Sequence, residues 1–180
     1  MKEIVLRAVE PEDVEFMYEC ENDRQNALWS DYKAPLSKSQ LTEYALSYDA
    51  DPFKSGQLRL IIEQHGNSES DSITDRIPVG ILDLYQISAI DSKGFIGICI
   101  HPEYRRRGIA KEAITKLLEF NRERLGLKML IAKVSVINQT ALQLFEHSGF
   151  TPIALLPAWH RIGSELQDFH LLIKTARGNR

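Results

Sequence analysis

Cysteine is scarce in this chain. Only two cysteines, Cys20 and Cys99, occur among the 180 residues. Two thiols are too few for the disulfide framework of a small secreted domain or for a four-thiolate metal site. Histidines do not supply the missing ligands, because His147, His160 and His170 are far apart and neither HxxxH nor HxH occurs. We therefore predict no metal site and a reducing compartment.

Long apolar runs and excess positive charge are also missing. No stretch approaches the roughly 18 apolar residues of a membrane span, and the N-terminus lacks the apolar core of a signal peptide. The cytoplasm is therefore the expected location. The 22 basic and 25 acidic side chains leave a net charge of −3. This balance argues against a nucleic-acid partner held by the field of the whole molecule, and leaves only a local basic patch for that role.

The remaining composition is typical of one globular domain. Hydrophobic residues make up 43% of the chain and charged residues 26%. No repeat, low-complexity tract or linker divides it, so we predict a single domain over residues 1–180. Apolar periodicity, capping residues and Gly or Pro stops predict a mixed α/β fold. Predicted strands cover 4–7, 58–62, 79–85, 95–100, 129–136, 151–162 and 166–174; predicted helices cover 11–22, a segment after the Ser37/Gln40 capping box, 110–121 and 139–147.

The arrangement of these elements can be predicted in part. The strands at 58–62 and 79–85 are expected to form a hairpin with a polar surface loop at 66–75. The nearly continuous apolar run at 95–100 indicates a central strand. The helix between this strand and the strand at 129–136 should make a parallel, right-handed crossover.

The segment after the central strand carries the clearest chemical signal. Three arginines, Arg105, Arg106 and Arg107, are followed by Gly108 at the start of a helix. The first N–H groups of a helix lack internal partners and carry partial positive charge, so with glycine and arginine they suit a phosphate group. A solvated charged face and a nucleic-acid patch are the competing interpretations. Neither GxxxxGK[ST] nor GxGxxG occurs, which disfavours ATP and NAD.

The same segment resembles the pyrophosphate loop, [RQ]-x-x-G-x-[GA], of the GNAT superfamily of acetyl-CoA-dependent N-acetyltransferases. In this chain the loop reads Arg105-Arg106-Arg107-Gly108-Ile109-Ala110. The resemblance implies a mixed, mostly antiparallel sheet with one parallel central pair and helices on both faces. It also implies acetyl-CoA as cosubstrate, with the pyrophosphate on the N–H groups of residues 106–110. The pantetheine arm would then pair like an extra strand with the segment Ile98-Cys99-Ile100.

Two further segments resemble the same family in the expected order. Residues 6–13 resemble its first strand and helix start, and the second cofactor segment is similar to Asn138, Ala141, Phe145 and Gly149-Phe150. Within the superfamily, residues 21–23 and 80–84 look most like the branch of ribosomal-protein N-terminal and spermidine acetyltransferases. The resemblance therefore extends over about the whole chain.

Two positions depart from the family pattern. Phe95 stands where many members carry a glutamate base, and Phe145 stands where others carry a tyrosine that protonates the leaving thiolate. Neither phenyl ring exchanges a proton, so either other groups take these roles or catalysis depends on positioning and water. The candidate substitutes are Asp83, whose apolar neighbours would make its carboxylate a stronger base, and Tyr104 at the mouth of the loop. Each also has a purely structural interpretation, and Cys99 is typical of core packing rather than of a nucleophile.

The resemblance also implies an activity, transfer of acetyl from acetyl-CoA to a primary amine on a polyamine or a peptide N-terminus. Trp29, Asp31 and Tyr32 are candidates for the wall of an amine pocket, through cation–π and charge contacts. They also fit simple packing beneath a loop. The vacant positions at Phe95 and Phe145 keep open a non-catalytic acyl-CoA-binding or sensing domain. We expect no membrane or nucleic-acid partner, and a homodimer is an open option.

Overall fold

A computed structural model describes residues 3–29, 34–47, 49, 51–66 and 76–176. The described strands are β1 (Ile4–Ala8), β2 (Gln57–His65), β3 (Arg76–Ser88), β4 (Lys93–Ile100), β5 (Met129–Ser135), β6 (Thr151–Ile162) and β7 (Glu165–Thr175). The described α-helices are α1 (Val14–Glu21), α2 (Arg24–Trp29), α3 (Lys38–Leu46), α4 (Pro52–Ser55), α5 (Ile109–Phe120) and α6 (Gln139–His147). No described helix is both long enough and apolar enough to cross a membrane.

The strands form one sheet in the order β1-β2-β3-β4-β5-β7-β6. Among these neighbours β4 and β5 are parallel, and the other pairs are antiparallel. The mixed, mostly antiparallel sheet with one parallel central pair is therefore confirmed. The predicted hairpin is also confirmed, because β2 pairs with β3. Most of its predicted loop, residues 67–75, lies outside the described residues.

Helices cover both faces of the sheet. One face, which we call the α5 face, packs Leu82, Ile96 and Ala132 against Ile114 and Leu117 of α5 in the larger apolar cluster. Side chains alternate between the faces of a sheet, so the neighbouring residues point to the opposite side. On that side, the α1 face, Ile61 and Ile81 pack with residues of α1 and α3 in a second cluster.

Local capping signals fix several helix ends as the sequence predicts. Ser37 accepts the N–H of Gln40, and the Gln40 side chain accepts the Ser37 N–H, which confirms the capping box at α3. Before α1, Pro11 begins a short 3₁₀ turn that Asp13 caps by accepting the N–H of Glu10. Pro52 begins the short helix α4, which the sequence did not predict, and the side chain of the preceding residue, Asp51, caps the first turn of this helix.

Candidate active site

The parallel pair β4 and β5 separates soon after it starts. Their register runs only from Lys93 with Met129 to Phe95 with Ile131. Beyond Phe95, β4 continues to Ile100 and, among the described residues, pairs there with β3 alone. The β5 side of residues 96–100 is therefore an unpaired strand edge, and we call the space beside it the β4–β5 gap. An amide-bearing chain can satisfy such an edge, as the resemblance implies for pantetheine along Ile98 and Ile100.

Cys99 in this segment belongs to the packing of the α1 face. It packs with the apolar cluster that contains Cys20, and Asn26 Nδ2 lies 2.8 Å from its Sγ. Contact with the Cys20 thiol and burial raise the pKa of Cys99 well above its ordinary value. A raised pKa disfavours the thiolate, so the structure favours the packing interpretation over a nucleophile.

The loop from β4 to α5 has the geometry that an anion requires. Gly108 is the N-cap of α5 with φ of 79°, and the first helical bond runs from the Glu112 N–H to the Gly108 carbonyl at 3.2 Å. The N–H groups that precede Glu112 in the first turn are thus available to a ligand. A Cβ built on residue 108 meets no atom within 4 Å, so the space beside these groups is open. These residues fit the pyrophosphate of acetyl-CoA.

The three arginines of the loop do not act alike. Arg105 donates to the Ile100 carbonyl at 2.9 Å and to the side chains of Gln25 and Asn26 at 2.7 and 3.0 Å. Its guanidinium therefore connects the loop to the segment after α1, and its role in phosphate binding stays a prediction. Arg106 is exposed and has φ of 62°, a left-handed conformation that costs a non-glycine residue energy.

Arg107 and Tyr104 contact each other within the loop. The Arg107 guanidinium lies 5.3 Å from the Tyr104 ring centroid and donates to the Glu103 carbonyl at 2.7 Å. The Tyr104 ring also packs against His101, with 5.9 Å between centroids. These contacts favour a packing role for Tyr104, and its predicted catalytic role stays a prediction.

The second cofactor segment forms the start and the inner side of α6. The Asn138 side chain caps the helix by accepting the Ala141 N–H at 3.1 Å. Phe145 is only 4% exposed and packs edge-on against Phe150 at 5.2 Å. Position 145 is therefore part of the core on the α5 face, where a phenyl ring suits its neighbours.

Asp83 is half of an ion pair that is not evident from the sequence. Arg59 is its cross-strand partner on β2 and donates to both carboxylate oxygens at 2.8 Å. The same guanidinium lies 2.7 Å from a carboxylate oxygen of Glu21 and 5.4 Å from the Tyr44 ring centroid. Burial alone would lower the pKa of Arg59, but the two carboxylates hold it above its ordinary value. We call Glu21, Arg59 and Asp83 the acidic triad, because two carboxylates contact one guanidinium.

The triad lies beside the β4–β5 gap. Gly97 is the partner of Asp83 on β4, and it presents no side chain between the carboxylate and the gap. The next partners toward the start of β4 are Tyr85 and Phe95, whose rings stack with centroids 5.6 Å apart. We call these two rings the aromatic floor. Lys133 of β5 extends over it, with Nζ 5.7 Å from the Phe95 centroid and 5.9 Å from the Tyr85 centroid.

Sequence reasoning therefore missed Glu21, Arg59 and Lys133 as members of the site. One signal was present for Arg59, because in a strand it shares a face with apolar Ile61, and a charged side chain on a buried face requires a charged or polar partner. Of the predicted amine pocket, Trp29 is half-buried at the end of α2. Asp31 and Tyr32 lie outside the described residues, so that pocket stays a prediction.

The fold and the loop together define a CoA-dependent acyltransferase. Residues 3–151 match the family model described as the acetyltransferase (GNAT) domain, and the chain belongs to this family. It is 25% identical over 167 residues to a spermidine N(1)-acetyltransferase of Vibrio cholerae serotype O1, covering 92% of this chain and 89% of the relative. A spermidine N(1)-acetyltransferase of Escherichia coli K12 is 23% identical over 148 residues, covering 82% and 73%.

Solved structures show the same fold. The spermidine N-acetyltransferase of Vibrio cholerae in complex with CoA and spermine matches with a TM-score of 0.83 and 23% identity, over 96% of this chain and 95% of that one. The expectations of a GNAT fold, of acetyl-CoA as cosubstrate and of acetyl transfer to an amine are confirmed. A non-catalytic acyl-CoA sensor is not favoured.

Proposed function

We propose that the acceptor is a small amine with at least two positive charges, of the polyamine type. The acidic triad is the observation that supports this choice. Two carboxylates share one guanidinium, so the triad carries a net charge of −1. The side chains of Glu21, Arg59 and Asp83 are only 15%, 13% and 28% exposed. A partly buried surplus charge is stabilised by a cation, and an ammonium group supplies one.

The position of the triad suggests how such an amine is oriented. Gly97, the partner of Asp83, is two residues along β4 from Phe95, which is about 7 Å of strand. An amine that reacts at the narrow end of the gap can then place a second ammonium at the triad. A monoamine lacks this second contact, and so does a peptide N-terminus whose neighbouring side chains are uncharged. The names of the relatives support the same acceptor class.

Binding and orientation account for the activity of this site. Acetyl-CoA supplies the activated thioester. The loop at Gly108 binds its anionic end, the free edge of β4 aligns its arm, and the triad and the aromatic floor hold the amine beside it. Holding two reactants in this way lowers the barrier without a proton carrier of the usual kind. Asp83 and Tyr104 remain predictions as groups that move a proton.

A panel of acceptors tests the proposal. The purified chain and acetyl-CoA are incubated with spermidine, a short diamine, a monoamine of equal length and a peptide with a free N-terminus, and kcat/KM is measured for each. We expect polyamines and diamines to exceed the monoamine by at least about tenfold, the value of one additional charged contact. Glu21→Gln should erase most of this advantage by raising KM, whereas exposed Glu119→Gln should not. A preference for the peptide would overturn the proposal.

Assembly, location and domain extent are further parts of the proposal. β6 is an edge strand on which Ile153, Leu155 and Trp159 are 54%, 53% and 55% exposed. Such a strand supports assembly into a homodimer, which sedimentation equilibrium would detect. The cytoplasmic location and the single domain over residues 1–180 stay predictions.

A further inference from the structure

We infer that Lys133 is a site of self-acetylation, in which the chain's own amine takes the place of the acceptor. The inference rests on the proposed position of acetyl-CoA in the β4–β5 gap. It concerns a covalent modification that the acceptor chemistry does not require.

Lys133 lies on β5 just beyond the point where β4 and β5 stop pairing. The last β4–β5 pair joins Phe95 to Ile131, and Lys133 is two residues further along β5. Side chains two residues apart share a face, so Lys133 lies on the same face as Phe95. Its contacts agree with this placement, because Nζ lies over both rings of the aromatic floor at 5.7 and 5.9 Å. A primary amine of the chain is thus located where the two strands converge.

The gap is long enough for bound acetyl-CoA to place its thioester near Lys133. From Ile100, next to the phosphate loop, back to Phe95 the strand covers about 17 Å. This length is comparable with an extended pantetheine arm. An arm anchored at Gly108 and paired along residues 96–100 therefore ends beside Phe95. The amine of Lys133 and the acetyl group then share the convergence point.

The reaction needs no component beyond acetyl-CoA. The Lys133 ammonium first releases a proton to solvent, and its neutral Nζ then attacks the thioester carbonyl carbon, so that a C–N bond forms and the C–S bond breaks. Coenzyme A departs as a thiolate and takes up the proton released by the nitrogen. The products are acetyl-Lys133 and free coenzyme A. The modified side chain is uncharged and bulkier, so it no longer interacts with the aromatic floor as a cation.

Peptide mapping of the full chain tests the inference without an activity assay. The protein is incubated with acetyl-CoA in the absence of any other amine, and each lysine is followed by mass spectrometry. We expect Lys133 to gain one acetyl group at least about 10²-fold faster than exposed Lys128, because proximity raises its effective concentration. The rate per molecule should not depend on protein concentration, and added spermidine should slow it.

Two variants separate this reaction from chemical acetylation in solution. Gly108→Glu should abolish labelling of Lys133, because acetyl-CoA is no longer bound, and should leave the slow labelling of Lys128 unchanged. Lys128→Arg should leave the labelling of Lys133 unchanged. Equal labelling of Lys133 and Lys128, or labelling of Lys133 that survives Gly108→Glu, would overturn the inference.

The same preparation distinguishes failure of the inference from failure of the proposed function. If spermidine is acetylated while Lys133 stays unmodified, the function stands and self-acetylation is wrong. If Lys133 is acetylated and no polyamine is, the acceptor proposal is wrong and the inference stands. If neither amine is modified, the proposed position of acetyl-CoA is wrong and the inference falls with it.

Discussion

Arg59 and Asp83 face each other across β2 and β3 and share two hydrogen bonds of 2.8 Å. Both oxygens of this carboxylate accept from a fixed guanidinium fork, a bidentate pairing that holds the two side chains in one geometry. The cross-strand register therefore favours the structural interpretation of Asp83. The same pairing means that Arg59 on β2 is not buried as an unpaired charge.

Replacing Asp83 by Asn is expected to loosen the triad rather than to remove a base. The amide accepts one hydrogen bond from Arg59 instead of two and no longer compensates its charge. We expect a loss of about 1–3 kcal/mol in the free energy of unfolding, and a KM for the amine that rises at least about tenfold. The pH dependence of kcat should keep its shape. Denaturant unfolding and a pH–rate profile are the two measurements.

Asp91→Asn is the matched control for Asp83. Asp91 pairs with Lys93 on an exposed turn, where removing the charge should change neither stability nor KM measurably. If Asp83→Asn instead lowers kcat by about 10²–10⁴ on the basic limb with unchanged stability, Asp83 is a general base and our interpretation is wrong.

Gly108→Glu is expected to abolish acetyl-CoA binding. The substitution adds a side chain and a negative charge where the N–H groups of the loop meet the anion, at a φ of 79° that glycine tolerates best. In the unmodified protein, acetyl-CoA at about 100 times its Kd should add about 2.7 kcal/mol of stability. That gain corresponds to a rise in Tm of about 5–10 °C, which the variant should lose.

Gly163→Glu controls for the backbone strain of that change. Gly163 has φ of 63°, and a Cβ there also meets no atom within 4 Å, but it lies in the turn between β6 and β7. This variant should retain the full acetyl-CoA shift. Loss of the shift in both variants would mean that strain, and not the phosphate site, explains Gly108→Glu.

Phe145→Tyr is expected to destabilise the protein without raising turnover. The ring is buried against Phe150, so a hydroxyl group there loses its hydrogen bonds with water, at a cost of about 1–3 kcal/mol. Phe53→Tyr, at a ring that is 40% exposed, should be nearly neutral. Thermal unfolding and kcat are measured for both. An increase of kcat in Phe145→Tyr would show that the ring reaches the sulfur and that the missing acid limits the reaction.

The sequence predicts local and sequential features of this molecule well. The capping box at Ser37, the bounds of α6 and the glycine at the start of α5 depend on residues a few positions apart, and all are confirmed. The acidic triad depends on strand register, which pairs residues 24 positions apart in the case of Arg59 and Asp83. Apolar alternation along one strand carries no information about which residue faces it on the next.

The loop between β4 and α5 shows the same limit of prediction from sequence. Three consecutive arginines suggest one shared role, but Arg105 binds residues about 80 positions away in the segment after α1. The position of Lys133 over Phe95 likewise follows from the parallel register of β4 and β5. A motif therefore predicts the position of the cofactor loop, and only the tertiary structure shows which side chains surround the gap.

Glu63→Gln is expected to make the free energy of unfolding depend less on pH in the acidic range. Burial alone would raise the pKa of Glu63, but hydrogen bonds with Arg7 and His65 outweigh it and hold the pKa below its ordinary value. A carboxylate with a lowered pKa in the folded state stabilises the protein above its unfolded pKa, about 4.3, and loses this contribution as the pH falls through the folded value. The variant should therefore be less stable than the unmodified protein at pH 7, by about 1–3 kcal/mol, and the difference should shrink below about pH 4.

Urea unfolding between pH 3 and 8 measures this difference, with exposed Glu12→Gln as the control that should follow the unmodified protein throughout. A difference that stays constant down to pH 3 would mean that the two proteins differ in packing, and not in the charge of this carboxylate.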